Sequence, residues 1–226
     1  EPDHFRARLR LAQALLKNHP EEATPHFERL RRDRPHDPAV LLGLAQCRKA
    51  AGRIDEQRRL LDELVRDHPD DPDALLDRGG LALGDGDLGL AERHLRRAVE
   101  LSPNSRQANV EFAKCLNALG RPEEADFYQR RLKAMEADMM RMEKLYPKTL
   151  AAPADPAPRY EIGMICMRNG QEEEALRWLY GALECDPRYL PAHDALADYY
   201  ARNGDATAAA EHRRPGSLTG LLRGGK

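Results

Sequence analysis

The spacing of five glycines constrains the fold of this chain more than any other feature. Gly52, Gly86 and Gly120 follow one another at intervals of 34 residues, and the same interval separates Gly170 from Gly204. Each glycine lies between two segments whose apolar residues recur with helical periodicity. A residue just past a helix end often adopts a left-handed backbone conformation, which glycine takes without strain. The spacing therefore predicts a tandem array of helix-turn-helix hairpins.

The stretch from Pro38 to Asp71 shows this unit in its most regular form, with two amphipathic helical patterns joined at Gly52. Small residues recur where the two helices of a unit must approach closely, because a larger side chain there would push the helices apart. They are Ala45, Gly79, Ala113, Gly163 and Ala197 on the first helices, and Ala23, Ala91, Ala125, Ala175 and Ala209 on the second helices. One hairpin cannot bury its apolar face alone, so we expect successive copies to stack.

The repeated pattern resembles the tetratricopeptide repeat, a helix-turn-helix unit of 34 residues. The resemblance covers residues 4–214. It rests on L-x-x-L-A at Leu41 to Ala45, E-E-A at residues 123–125 and 173–175, and the pair Asp186 and Pro187. It implies an all-α fold, a right-handed α-solenoid of about six repeats.

Three positions depart from this pattern. Gln57 stands where the second unit should carry a small residue, and Arg78 stands where the third unit should carry an apolar one. The fourth unit lacks its closing proline. We expect these departures to alter local packing and to leave the fold unchanged.

The array is interrupted after its fourth unit, where 50 residues instead of 34 separate Gly120 from Gly170. An apolar stripe continues along the second helix of that unit, which predicts an extended helix over residues 122–146. The stripe consists of Tyr128, Leu132, Met135, Met139, Met142 and Leu145. The overhang beyond about Glu136 either packs over the fifth unit or offers a Met-rich contact to a partner or a second copy.

These features divide the chain into four predicted segments. They are units one to four with the extended helix at residues 1–146, a Pro-rich non-helical linker at 147–158, units five and six at 159–214, and a flexible tail at 215–226. Pro215 is expected to shorten the last helix and to leave the array without the polar capping helix that normally ends it. Leu222 to Gly225 spell L-R-G-G, as at the end of ubiquitin-like modifiers, but nothing upstream resembles the fold that accompanies that ending.

Composition excludes several classes of function. A net charge of −2 and a pI near 6.5 argue against nucleic-acid binding, because a phosphate-binding face needs a strong basic excess. No apolar run approaches the ~18 residues of a membrane helix, so no membrane insertion is predicted. The sequence has no P-loop, no G-x-S-x-G and no H-E-x-x-H motif. We therefore predict a protein that is not an enzyme and that uses no cofactor and no metal.

The cysteines favour reduced, packed thiols. Cys47, Cys115, Cys166 and Cys185 lie far apart, and no two of them form a C-x-x-C pair that would suggest metal ligation. The chain begins at Glu1 without an initiator methionine, which suggests a fragment that lacks its native N-terminus. These features leave the compartment open, with the cytoplasm slightly favoured.

The resemblance also implies a binding surface, because the first helices of tetratricopeptide units line a concave groove. The residues expected on this groove are Phe5, Leu42, Gln46, Leu76, Gly80, Leu83, Gly84, Val110, Lys114, Asn117, Tyr160, Met164, Met167 and Arg168. Most of them are apolar, and a large exposed apolar surface usually marks an interaction site. Gly80 and Gly84 lie four residues apart on one helix face, where bare backbone would let a ligand approach closely.

Several functions are compatible with such a groove. Our leading hypothesis is a non-enzymatic scaffold that binds a protein or peptide partner, as an extended segment or an amphipathic helix. Asp73 and Asp77 would repel the terminal carboxylate that one co-chaperone subgroup binds. The alternatives are an architectural role, with self-association through helix 122–146 or the C-terminal end, and a regulatory segment of a larger protein.

Overall fold

The computed structural model describes residues 2–213, and these residues form twelve α-helices and no strand. Helices α1 and α2, α3 and α4, α5 and α6, α9 and α10, and α11 and α12 pack as pairs, so the predicted all-α hairpin array is confirmed. The helices are α1 (Pro2–Leu16), α2 (Pro20–Asp33), α3 (Pro38–Ala50), α4 (Ile54–Asp67), α5 (Pro72–Asp85), α6 (Leu88–Leu101), α7 (Arg106–Ala118), α8 (Pro122–Ala151), α9 (Pro156–Arg168), α10 (Glu172–Cys185), α11 (Leu190–Arg202) and α12 (Ala206–His212). The predictions for Pro215 and for the L-R-G-G tail lie outside the described residues.

All five turn glycines adopt the backbone conformation that their spacing predicts. Their φ angles lie between 69° and 81°, and no other residue type in the described chain has a positive φ. Gly86, for example, ends α5 with φ 80° and donates its N–H to carbonyls of the last helical turn. These positions require glycine, because the left-handed region is strained for residues that carry a Cβ.

The predicted small residues lie at helix crossings, and all of them are buried. A Cβ on Gly79 would lie 2.7 Å from Cγ of Leu95, and a Cβ on Gly163 would lie 2.9 Å from Cγ of Leu179. Each crossing brings a first helix onto the second helix of the same hairpin. The small residues therefore lie where two helices pack closely, as predicted.

The chain divides into two compact units, of which the first ends at Leu132 and the second begins at Lys133. The division falls within α8, which is 30 residues long and exceeds the predicted 122–146. The non-helical linker predicted at 147–158 is wrong over most of its length. Helix α8 continues through Pro147 to Ala151, and α9 begins at Pro156.

The physical reason for this error is tertiary packing on both sides of the proline. Pro147 removes one helical hydrogen bond, which usually ends or kinks a helix. Leu145 before it and Thr149 after it are both buried in the second unit, and Thr149 Oγ1 donates to the Tyr146 carbonyl at 2.8 Å. Burial of these neighbours outweighs the lost hydrogen bond.

Three of the four cysteines are packed in the interior, as the sequence predicted. Cys47, Cys115 and Cys166 are buried, Cys185 is half-buried, and none of them forms a disulfide. Burial raises the pKa of the first three thiols above its ordinary value. None of the helices between residues 2 and 213 combines the length and hydropathy needed to cross a bilayer.

Two of the three departures from the repeat pattern, Gln57 and Arg78, place buried polar groups in the first unit. Arg78 is 9% exposed, and its Nε donates to Oδ1 of Asp62 at 2.6 Å. Gln57 is 2% exposed, and its Oε1 finds no hydrogen-bond partner among the described residues. Arg78 is therefore paired, whereas Gln57 leaves a buried acceptor unsatisfied.

Replacement of Gln57 by methionine should raise the free energy of unfolding by about 1 kcal/mol. Methionine keeps nearly the same volume and removes the unsatisfied acceptor. Asn109 Oδ1 is also buried without a partner, but Asn109 differs from Gln57 because its Nδ2 donates to the carbonyls of Pro103 at 2.8 Å and Ser105 at 2.7 Å. Asn109→Leu should lower the free energy of unfolding by about 1–2 kcal/mol. Urea unfolding measures both, and a change of the same sign in the two variants would contradict this assignment.

Candidate functional site

The first helices of the first unit form the surface on which the site was predicted. Helix α1 contacts α3, α5 contacts α7, and Gln46 of α3 donates to Asp77 of α5 at 3.2 Å, so these helices form one layer. Most of the predicted residues on them are half-buried, namely Leu42, Gln46, Leu76, Gly80, Leu83 and Val110, while Gly84, Lys114 and Asn117 are exposed. Phe5 was expected on the groove, but the structure places it in the core. It is 8% exposed, with the guanidinium of Arg34 4.2 Å from its ring centroid.

A cleft of about 280 Å³ opens beside α3 on this layer. We call it the α3 cleft. Its walls are Gln13, Leu16, Phe27, Pro38, Ala39, Leu42, Gly43, Gln46, Asp71 and Asp73. Leu42 and Gln46 were predicted from the repeat register. The contributions of α1 and α2 were not predicted, because these helices form a degenerate first repeat in which the register gives no signal for them.

The wall of the α3 cleft depends on one close contact between an aromatic ring and a helix backbone. A Cβ on Gly43 would lie 2.2 Å from Cε1 and 2.3 Å from Cζ of Phe27. The ring of Phe27 is fully buried and is held directly against α3 at this point. Glycine at position 43 is therefore a packing requirement, and it sets how closely α2 and α3 approach beside the cleft.

Carboxylates line the end of the cleft formed by α5. Asp71 caps α5 by accepting from the Ala74 N–H at 2.8 Å. Asp77 accepts from Gln46 Nε2 at 3.2 Å and lies 3.8 Å from Lys49 Nζ. Partial burial raises the pKa of the Asp73 carboxyl above its ordinary value, and the negative charges of Asp71 and Asp77 raise it further. A cation placed here would relieve the repulsion among these groups.

The face of α5 next to this rim is bare. A Cβ built on Gly80 or on Gly84 would meet no atom within 4 Å, so the space above both residues is open. Leu76 and Leu83 flank them, half-buried against the core of the first unit. At the far side of the layer, Lys114 pairs with Glu111 at 2.9 Å on α7. The predicted residues of the first unit thus combine into an apolar, partly open surface.

The predicted residues of the second unit are engaged within that unit. Tyr160 packs edge-on against Tyr189 at a centroid distance of 5.7 Å, and Met164 and Met167 pack against the unit's core. Arg168 Nη2 donates to Oδ1 of Asp138 on α8 at 2.6 Å. The contacts of these four residues with their neighbours leave the first unit as the candidate site.

The overhang of α8 packs over the fifth hairpin, as the first of its two interpretations expects. Met142 and Leu145 lie in a cluster with Ile162, and Arg141 pairs with Glu161. Met139 and Met140 are 57% and 58% exposed and take no part in this cluster. A contact through these methionines with a partner or second copy stays a prediction.

One group of three potential metal ligands occurs among the described residues. His36 Nδ1 lies 3.0 Å from Oδ2 of Asp67 and 3.8 Å from Oε1 of Glu63. Both carboxylates are already paired, Glu63 with Arg31 at 2.8 Å and Asp67 with Arg66 at 2.9 Å. The local charge is balanced without a metal ion, so we assign no function to this group.

The family model of the tetratricopeptide repeat matches residues 17–76 and 82–138, and a second model of the same repeat matches residues 49–106. The first match alone covers more than half of the chain. The chain belongs to the tetratricopeptide repeat family. Repeats of this family are typically protein–protein interaction modules, and the layer formed by the first helices is the part of this tetratricopeptide chain that carries the predicted groove residues.

Two curated relatives contain the same repeat, and one solved structure has a similar fold. The TPR repeat-containing protein PA4667 of Pseudomonas aeruginosa is 31% identical over 199 residues, which are 86% of this chain and 30% of that protein. The TPR repeat-containing thioredoxin TTL4 of Arabidopsis thaliana is 36% identical over 69 residues, which are 30% of this chain and 10% of that protein. The structure of PilF from Pseudomonas aeruginosa has a TM-score of 0.52 at 12% identity, over 98% of this chain and 95% of that one. The PilF likeness concerns the fold alone, and the chain spans less than a third of either curated relative.

Proposed function

We propose that the first unit binds a segment of a partner protein on the layer formed by α1, α3 and α5. The observation that carries this proposal is the α3 cleft, whose walls are apolar apart from two glutamines and two aspartates and which opens next to the bare face of α5. The cleft takes one large apolar anchor side chain of the partner. The neighbouring carboxylates select a positive charge close to that anchor.

The size of the cleft supports an anchor and not a whole ligand. Pockets that enclose small molecules have volumes of about 300–1,000 Å³, whereas the α3 cleft has about 280 Å³. One Leu, Phe or Tyr side chain occupies a space of this order. The rest of the partner segment then lies along α5, where the open space above Gly80 and Gly84 admits its backbone or a bulky side chain.

The charges at the rim support a basic residue next to the anchor. Partial burial and then the charges of Asp71 and Asp77 raise the pKa of Asp73, so a positive charge beside it would be favourable. A Lys or Arg side chain of the partner would supply the missing positive charge. The partner class is therefore an apolar and basic peptide segment.

Selection from a random peptide library on the full chain tests this function. Selected peptides should combine a large apolar residue with a nearby Lys or Arg. The variant Asp73→Asn should select the apolar residue and lose the basic preference. Affinity for the selected peptides, measured by fluorescence anisotropy, should fall as the pH drops through the raised pKa of Asp73, because protonation removes the negative charge. Enrichment of acidic peptides, or an identical basic preference in the variant, would contradict the proposal.

A further inference from the structure

Four polar side chains form a continuous hydrogen-bonded chain at the end of the second unit. Tyr200 Oη lies 2.8 Å from Tyr180 Oη, and Tyr180 Oη lies 3.4 Å from Nε2 of His212. His212 Nδ1 lies 3.0 Å from Nδ1 of His193, whose Nε2 lies 3.1 Å from the Pro187 carbonyl oxygen. Both histidines are buried, His193 with 2% and His212 with 8% of its surface exposed. The chain links α10, α11 and α12.

The Pro187 carbonyl at one end fixes the direction of every hydrogen bond in this chain. A carbonyl can only accept, so His193 donates from Nε2, and its Nδ1 is the acceptor in a neutral ring. His212 must then donate from Nδ1, which leaves its Nε2 to accept from the Tyr180 hydroxyl. Tyr180 in turn accepts from Tyr200. When both rings are neutral, the two histidines therefore hold opposite tautomers.

Protonation of both histidines breaks this arrangement. One charged imidazole can still donate from Nδ1 to the neutral Nδ1 of the other ring, but two charged rings would place two N–H groups face to face across the 3.0 Å between the Nδ1 atoms. The repulsion can only be relieved if the rings separate. Because His193 belongs to α11 and His212 to α12, separation of the rings means separation of the helices.

We propose that this chain of hydrogen bonds is a pH-sensitive latch, which holds α12 on α11 when both histidines are neutral and releases it on acidification. Helix α12 has seven residues, and only Ala209 and His212 of these are buried. The ring of His212 stacks on Tyr200 with a 2° interplanar angle and a centroid distance of 5.8 Å. His212 is thus the main side-chain anchor of the helix, and its protonation state controls the attachment.

The groups around His212 determine the direction of the pH response. Tyr180 faces it from α10, His193 and Tyr200 face it from α11, and Glu211 precedes it on α12. Burial and the neighbouring His193 lower the pKa of His212, while the charge of Glu211 opposes this shift. The released helix therefore binds protons more readily than the attached one. Attachment is complete at pH values above the ordinary histidine pKa of 6.5 and is lost as the pH falls below it.

Long-range ¹H–¹⁵N correlation spectra of the full chain at pH 7.5 test the hydrogen-bond assignment without any substitution. We expect His193 protonated at Nε2 only and His212 protonated at Nδ1 only. The same tautomer in both rings, or a charged ring at this pH, would overturn the proposal.

Amide hydrogen exchange tests the release itself. The protection factors of the α12 amides, corrected for the intrinsic pH dependence of exchange, should fall roughly tenfold or more between pH 7.5 and pH 5.5. The double variant His193→Gln/His212→Gln has amides that donate and accept but do not titrate, so its protection should not change with pH. Equal protection of the wild-type helix at both pH values would overturn the proposal, as would the wild-type pH response in the double variant.

The matched control for exchange is His94→Gln in the first unit. His94 is half-buried, and burial lowers its pKa as well, so it contributes to a global pH response. This variant should keep the full pH response of α12, and a loss of that response would overturn the latch. If the double variant shows no protection of α12 at either pH, the histidine tautomers measured in the wild-type protein test the proposal in its place.

Discussion

Replacement of Gly43 by alanine should lower the free energy of unfolding by about 3 kcal/mol, at the upper end of the range for overpacked cores. The added Cβ would lie 2.2 Å from the buried ring of Phe27, well inside van der Waals contact. The ring is fully buried, so either it must leave its packed position or α2 and α3 must move apart. Urea unfolding followed by circular dichroism measures the change.

Gly80→Ala is the matched control for this substitution. Both glycines lie within helices of the first unit, but a Cβ on Gly80 meets nothing within 4 Å. Alanine at position 80 should therefore raise the free energy of unfolding by about 1 kcal/mol through helix propensity alone. It should also weaken binding of a selected peptide, because it fills the open space on α5. Equal changes in the free energy of unfolding for Gly43→Ala and Gly80→Ala would show that the contact with Phe27 does not cause the loss of stability.

The double variant Leu42→Glu/Leu76→Glu should lower the affinity for a selected peptide by about a hundredfold. Leu42 lines the α3 cleft and Leu76 lies on the adjoining face of α5, so each glutamate replaces apolar contact area with a charge that must be desolvated. Fluorescence anisotropy with a labelled peptide from the library selection measures the loss. Thermal unfolding of the same samples establishes that the variant is folded.

Ile54→Glu is the control for this variant. Ile54 is apolar and 40% exposed, but it lies at the start of α4 and does not line the cleft. Its substitution should leave the affinity unchanged. An equal loss of affinity in both proteins would mean that a change of net charge, and not the cleft, governs binding. Wild-type affinity in the double variant would place the binding site elsewhere.

The hairpin array was predictable from the sequence because its determinants are local. Gly52, Gly86 and Gly120 each satisfy a backbone requirement at one position, and a fixed interval makes that requirement visible. The end of α8 was not predictable from such rules. Pro147 is a helix-breaking residue by local criteria, and only the burial of Leu145 and Thr149 within the second unit explains why the helix continues.

The candidate site was predictable only where it follows the repeat register. Leu42 and Gln46 were placed by that register, and both line the α3 cleft. The contact between Gly43 and Phe27 joins two different repeats within the first unit and has no periodic signature. Arg168 was placed by the same register, but the lengthened α8 brings Asp138 to it. Register predicts the face of a helix on which a residue lies, and neighbouring helices determine whether that residue is available.

The most direct test of the proposed function is the position of a bound peptide. A peptide from the library selection, with a diazirine amino acid in place of its apolar anchor, is photo-crosslinked to the full chain, and the modified residues are identified by mass spectrometry. We expect crosslinks to the walls of the α3 cleft, foremost Leu16, Ala39 and Leu42. Crosslinks confined to the exposed Met139 and Met140 of α8, or to α4 and α6, would contradict it.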